Sequence, residues 1–560
     1  MSVESPPVVA AFGPAPVTPA VAGQRRLSVY EVGLLAVFGA LSMWVVALDL
    51  WHAVANGLVW TGTDGWYIVD QMQYLAWIQS AAHSLLVSNL FVLRPTPADY
   101  FQPAIIVSGI ITALGVPAWL SLLLWKPVAV IGLFLAIRAL TYHMFSGRFE
   151  RGAALTLGLL FGSFSIVYGS LGIVGDMMSE FLSWGYPFAL MAVALIIFGL
   201  VRYDRARVAG RPDWVPGVLG GVAATLHPWQ GETLILLIVF AEAVRWRELR
   251  LWWQARQWRR LALPALTLVL TGLPLIYYLV LGHLDLSWGL ARVASKHAFP
   301  WSAIAIGAAP LAIVALLGYR GRPDTFLELV LRLWAPVAIL IYIFSATGLS
   351  ATPLHAFDGI TVPLAVLAVK GVQRTRLSRV PRGRLVAGVA VALGIIPANA
   401  YGISVTHNAV DPAQGNANFI THDERVALRY LAMDPAPGGV LTQFYLGEAV
   451  PGRTGRRTFV GDCLWSEPNC MPRSAAADAL FQGRDTKAQA RAFVKLSGAR
   501  FLLASCSSDD VPLRRTLGRL IVSVTHFGCA TIYQLGPPTA AVGPLAELPN
   551  DAAVRAPRRQ

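Results

Sequence analysis

Residues 25–51 read RRLSVYEVGLLAVFGALSMWVVALDLW. Two arginines precede a predominantly apolar run, 29–48, and Asp49 and Trp51 close it. A run of about 20 such residues crosses the hydrocarbon core of a bilayer as a helix. It is longer than the apolar core of a cleaved leader, and Trp44, Asp49 and Trp51 end it where a leader would have small residues. It therefore reads as a retained first span, with Arg25 and Arg26 holding the preceding flank in the cytoplasm.

Working outward, similar runs recur at 117–140, 152–170, 186–202, 215–227, 231–247, 262–281, 302–318, 327–346, 354–371 and 385–403, about eleven spans in all. His227-Pro228 divides the fifth from the sixth. Of the 560 residues, 55% are hydrophobic and 14% charged, against roughly 25% charged in soluble proteins. The net charge of +14 does not imply nucleic acid, because the arginines sit in short loops between spans, where they set orientation. With the N terminus inside, the inward loops hold Arg148, Arg151, Arg202, Arg205, Arg207, Arg211, the run Arg245 to Arg260, Arg320, Arg322, and the cluster Lys370 to Arg384. The outward loops between spans hold Arg94, Arg292 and Lys296. The expected organisation is a disordered cytoplasmic tail (1–28), a transmembrane body (29–403) with a long first outward loop (49–116), an extracytoplasmic α/β domain (404–536) and a disordered end (537–560). The protein is expected to be a multi-pass protein of the inner or plasma membrane.

All four cysteines, Cys463, Cys470, Cys506 and Cys529, follow the last span. Disulfides persist outside the cytoplasm, so their placement agrees with the orientation. Four cysteines allow three connectivities. Cys463 with Cys470 closes a short loop, and Cys506 with Cys529 joins two expected strands; free thiols or a metal site are the alternatives, and no CxxC spacing supports zinc. In the tail, Thr421–Leu431 and Lys487–Leu496 have helical spacing. Val440–Phe444, Arg500–Ala504, Val522–Thr525 and Ala530–Leu535 read as strands, the last two as a hairpin.

The first outward loop contains Asp49, Asp64 and Asp70, followed by Gln73, Tyr74, Trp77 and Ile78. Tyr74–Val87 is amphipathic and is expected to lie on the membrane surface. A carboxylate at the start of such a helix can take a proton from an acceptor hydroxyl as general base, while neighbours such as Tyr74 contact a lipid-linked substrate. The plain alternative is that Asp70 caps the helix. Asp176 and Glu180, four residues apart in the second outward loop, are candidate ligands for a divalent cation, or else a solvated helix face.

Residues Asp70-Gln71-Met72-Gln73-Tyr74-Leu75-Ala76-Trp77-Ile78, then Ser88-Asn89-Leu90-Phe91 and Tyr100–Gly115, resemble the first outward loop of bacterial GT-C-fold polytopic glycosyltransferases. Gly447–Gly461, with Pro451-Gly452-Arg453-Thr454-Gly455-Arg456-Arg457, resembles a turn found after their last span. The resemblance implies an enzyme that moves a sugar from a polyprenyl-phosphate donor to an extracytoplasmic acceptor (a cell-envelope glycan, lipid or protein). Asp70 matches the acidic loop residue best, Asp64 second and Asp49 third. Arg292 and Lys296, with His297 beside them, are candidates to hold the donor phosphate; otherwise they are ordinary loop cations near lipid headgroups. His227-Pro228-Trp229-Gln230 resembles the family's His-Pro corner, which makes His227 and Gln230 candidates to line the site, with Glu232 one turn on; a helix break is the plain alternative for His227. The chain departs from the family where an Arg-Arg pair often precedes the penultimate span. Here Pro353-Leu354-His355-Ala356-Phe357-Asp358-Gly359-Ile360 has no arginine, and His355 stands as its replacement, with Asp358 either its partner or, like His355, a candidate to contact substrate. Two other classes remain open: a flippase or transporter of a lipid-linked precursor, and a non-catalytic scaffold of the same fold. No GxSxG, Walker loop or HExxH occurs.

Overall fold

The computed structural model describes residues 26–64, 67–162, 175–296, 299–348, 351–375, 382–413, 415–508 and 511–537. The expected tails 1–28 and 537–560 lie almost wholly outside this set. Among the described residues, eight helices are long and apolar enough to cross a bilayer: Val29–Ala55, Ala118–Met144, Pro187–Val208, Trp258–Leu284, Trp301–Tyr319, Phe326–Ala346, Pro353–Gln373 and Gly383–Ala409. The other three expected spans are shorter helices. Arg148–Leu160 is followed by residues outside the described set, and Val215–Leu226 and Pro228–Val244 are separated at His227. Pro228 lacks the amide hydrogen that would continue the first ladder, and its fixed φ suits the opening turn of the next helix.

Pro187–Val208 and Pro353–Gln373 are the central helices, with 78% and 83% of their apolar windows buried, whereas Trp258–Leu284 and Gly383–Ala409 form the rim at 17%. Close approach at the centre requires glycine: a Cβ on Gly371 would lie 2.6 Å from the Gly318 amide nitrogen. At the end of the bundle bearing Arg207 and Arg374, buried carboxylates meet cations, as apolar surroundings demand. Glu328 receives Lys370 at 2.5 Å, Arg332 at 2.6 Å and Arg374 at 2.8 Å. Glu242 receives Tyr203 at 2.7 Å and Arg207 at 2.9 Å, and Glu31 receives Arg138 at 2.8 Å.

Past the last of these helices the chain builds a four-stranded sheet. Its strands, numbered after β1 (Val59–Trp60) and β2 (Phe419–Ile420), are β3 (Val440–Thr442), β4 (Phe501–Ala504), β5 (Ile521–Phe527) and β6 (Ala530–Leu535), in the order β3-β4-β6-β5. β3 and β4 are parallel and the other pairs antiparallel. Helices His422–Met433, Cys470–Phe481 and Lys487–Ser497 accompany the sheet, and disulfides join Cys463 to Cys470 and Cys506 to Cys529. The Gly447–Gly461 segment is not a turn. It contributes most of a helix, Phe444–Thr454, which ends at Gly455 in the left-handed region (φ +69°), and an extended run to Gly461.

That helix explains why the first loop departs from its expected form. The loop helix is Ile68–Ala81, not Tyr74–Val87, and it does not lie on a surface: Met72, Leu75, Ala76, Trp77 and Ile78 are all buried, as are Gln71 and Gln73. Phe444–Thr454 covers one side so closely that a Cβ on Gly452 would lie 2.9 Å from Leu75 Cβ, while Pro103–Ala113 covers another, with Gly109 against Ala81. Each large apolar side chain so enclosed contributes about 2 kcal/mol. Backbone ties reinforce the contact. β1 pairs with β2, Thr458 N–H donates to Leu90 O at 2.9 Å, and Arg457 donates to Asn89 O at 2.6 Å and Arg94 O at 3.1 Å. Asn89 Nδ2 donates to Trp465 O at 2.8 Å, and Asn418 Nδ2 to Asp49 Oδ1 at 2.7 Å.

Candidate active site

Where the loop helix, the tops of the central helices and the C-terminal segment converge there is a cavity of about 260 Å³. Asp70 enters it from the third residue of Ile68–Ala81, one turn before Tyr74 and two before Trp77. Asp70 is not the cap, since Tyr67 holds that position without a side-chain bond. Its carboxylate instead accepts a hydrogen bond from Tyr186 Oη at 2.6 Å. Tyr186 precedes Pro187 at the start of a central helix and packs edge-on against Tyr67, ring centres 4.4 Å apart. Gly185 makes room for this, because a Cβ there would fall 2.3 Å from the Tyr67 ring. Burial holds the Asp70 carboxyl above the usual carboxylate range, opposed by the tyrosine bond and by His355.

Opposite Asp70 stand His227 and His355, ring centres 4.7 Å apart. His227 Nδ1 donates to Gln230 Oε1, and Gln230 Nε2 donates to His355 O at 3.4 Å. Asp358, beneath the two rings, places Oδ2 at 3.3 Å from His355 Nδ1 and 3.8 Å from His227 Nε2. Gln230 and Asp358 thus support the wall without lining it. Arg292 and Glu232 also face the cavity. Aromatic rings form the other side: Trp288 lies 4.6 Å from Tyr100 and 4.7 Å from Trp465, and Trp77 lies 5.3 Å from Trp465. Leu275 and Leu279 of the rim helix Trp258–Leu284 give it an apolar edge.

The structure brings Asp70, Tyr74, His227, Arg292 and His355 to this one cavity, with Gln230 behind them. It keeps other candidates away. Asp64 is buried against Lys126 Nζ at 2.6 Å and Gln71 Nε2 at 3.3 Å and does not line the cavity. Asp49 accepts from Asn418. Lys296 is exposed and His297 lies outside the described residues. Asp176 falls in the short turn Gly175–Met177, its side chain outside the described set, while Glu180 is not a solvated face but is fully buried in Ser179–Gly185 and does not reach the cavity.

Two contributors were not anticipated. Tyr186 gave a local signal only in its position before Pro187. Asp462 follows the Gly447–Gly461 run directly, and nothing local marks it. It is buried, accepts the Leu464 amide at 2.8 Å, and has its carboxyl pushed up to about 7 by burial and by the charge of Asp70. Its neighbours Leu464 and Trp465 line the cavity.

No family model matches the sequence, and no curated protein matches it. Solved structures are similar to it. The mycobacterial arabinofuranosyltransferase AftD aligns with a TM-score of 0.50 at 15% identity, over 90% of this chain and 41% of that one. The oligosaccharyltransferase AglB from Archaeoglobus fulgidus, in complex with an inhibitory peptide and a dolichol-phosphate, aligns at 0.49 and 14% identity, over 86% of this chain and 70% of that one. ArnT from Cupriavidus metallidurans, bound to undecaprenyl phosphate, aligns at 0.46 and 13% identity, over 90% and 99%. At such identities the likeness is one of fold. The chain has the GT-C fold of polytopic membrane glycosyltransferases, with a small C-terminal sheet.

Proposed function

We propose that this chain is a membrane glycosyltransferase that moves a sugar from a polyprenyl-phosphate donor to a hydroxyl of a cell-envelope glycan, lipid or protein, with Asp70 as general base. The observation that carries this reading is the burial of Asp70 in a cavity that also receives Arg292 and opens past leucines of a lipid-facing rim helix. In the reaction Asp70 takes the acceptor's hydroxyl proton. The freed oxygen forms a bond to the anomeric carbon, and the bond from that carbon to the phosphate oxygen breaks toward the lipid phosphate. Arg292 neutralises the departing charge, Tyr186 orients the base, and the aromatic wall of Trp77, Trp288 and Trp465 suits the apolar faces of sugar rings.

The same proposal places the N terminus in the cytoplasm and residues 404–536 outside, supported by the arginine distribution and by the two disulfides. The test is transfer from radiolabelled polyprenyl-phosphate sugars in membranes. Wild type forms a new glycosidic bond and Asp70→Asn does not. Retained transfer by the variant removes Asp70 as base. A change in the sidedness of a lipid-linked precursor, with no new bond from any donor, makes the protein a flippase instead.

A further inference from the structure

We propose that His227, His355 and Asp358 form a divalent transition-metal site in the cavity wall, with one coordination position open to the donor phosphate. That role rests on the transferase reading; the existence of the site does not.

The three residues are 5%, 7% and 1% exposed, and their ligand atoms all lie within 4.8 Å of one another. Both imidazoles address the same oxygen, Asp358 Oδ2, at 3.8 Å and 3.3 Å. An ion about 2.1 Å from each ligand would subtend angles of about 130° and about 104° at these separations, on either side of the tetrahedral value. The protonation pattern points the same way. Gln230 Nε2 donates to the His355 carbonyl, which turns Gln230 Oε1 toward His227 Nδ1. With its proton on Nδ1, the imidazole aims the Nε2 lone pair at a carboxylate oxygen. Two lone pairs facing one another call for a cation between them, and a ligand imidazole donating its other N–H to a fixed acceptor is the usual outer arrangement of a metal site.

Two imidazoles and one carboxylate suit zinc and its neighbours, and three protein ligands leave a position for substrate. His227 and His355 border the cavity while Asp358 lies behind them, so the open position faces the cavity. Among the described lining residues Arg292 is the only guanidinium or ammonium group. A dication beside it would supply charge that a leaving phosphate needs.

The test uses the full chain in detergent, stripped with EDTA and reloaded with Co²⁺ in the absence of any sugar donor. Wild type should take up about one equivalent, give the visible bands of a low-symmetry tetrahedral ion, and release Co²⁺ to Zn²⁺. His355→Ala and Asp358→Ala should weaken uptake at least about tenfold, while Glu180→Gln should retain it. Absence of uptake by wild type overturns the site, leaving a proton between the rings and the carboxylate. So does loss of uptake in Glu180→Gln with retention in His355→Ala. Should the alanine variants fail to fold, X-ray absorption of the wild-type Co²⁺ form decides, and a shell without imidazole overturns the proposal. Protein that binds Co²⁺ yet transfers no sugar keeps the site and sinks the transferase reading. Stripped protein that transfers normally and takes up no ion does the reverse.

Discussion

The two ends of the helical body treat buried charge in opposite ways. At one end Glu328, Glu242 and Glu31 are each held by a guanidinium or ammonium group within 2.9 Å. At the other, Asp70 is met by a tyrosine hydroxyl and Asp358 by two imidazoles. Asp462, nearby, accepts the Leu464 amide on one carboxylate oxygen. An ion pair satisfied within the protein leaves nothing for a ligand, so the first end is a set of clamps. Carboxylates met by groups that can exchange a proton or share a cation remain poised for a substrate. Asp64 sharpens the lesson, because it lies in the same loop as Asp70 yet is neutralised by Lys126 and so behaves like the clamps.

The contrast can be broken by substitution. Asp70→Asn should lower sugar transfer about a thousandfold with little change in thermal unfolding; a stability loss comparable to that of a clamp variant would put Asp70 among the structural acids. Glu328→Gln leaves Arg332 without its carboxylate, and Lys370 and Arg374 with only the exposed Asp324; it should cost about 3 kcal/mol of stability, read as a lower unfolding midpoint in detergent, while the kcat of the surviving folded protein stays near wild type. Tyr186→Phe removes the hydroxyl that favours the Asp70 anion. It should raise the acid limb of the pH–rate profile by about one unit, since a hydrogen bond to a charged group is worth about 1.5 kcal/mol or more.

The smallest expected effect belongs to Asp462. The Asp70 charge helps raise the Asp462 carboxyl, so Asp462 is still protonated where Asp70 titrates, and Asp462→Asn should leave the same limb in place. The sign for stability follows from the raised carboxyl. Burial favours the protonated form, so its contribution is complete below the ordinary aspartate range near pH 4 and is lost as pH rises through about 7. Asp462→Asn should flatten that decline, as followed by unfolding midpoints between pH 4 and 8.

How much was legible beforehand depends on sequence distance. Eight of the eleven expected spans and the strands of the C-terminal sheet follow from local runs and are found among the described residues, and the two disulfides match one of the three connectivities that the sequence left open. Asp70, His227, Arg292 and His355 could be singled out because each sits in a short, chemically unusual stretch. The burial of the loop helix could not, because its cover arrives from far along the chain: Asn89 is bonded to a residue 376 positions away. An amphipathic pattern says that a face will be covered and not by what, so a membrane surface and a protein helix look alike. Asp462 and Trp465 escaped for the same reason. The split between Asp64 and Asp70 depends on Lys126, which local sequence does not place beside either.

Arg457 grips the carbonyls of Asn89 and Arg94 from beyond the final membrane helix. The loop that presents Asp70 therefore takes up this position only after residues well beyond the last long apolar helix have been made and have folded back. A chain cut short before Arg457 would still carry all eight long apolar helices and Asp70, yet would lack the bonds that brace the loop.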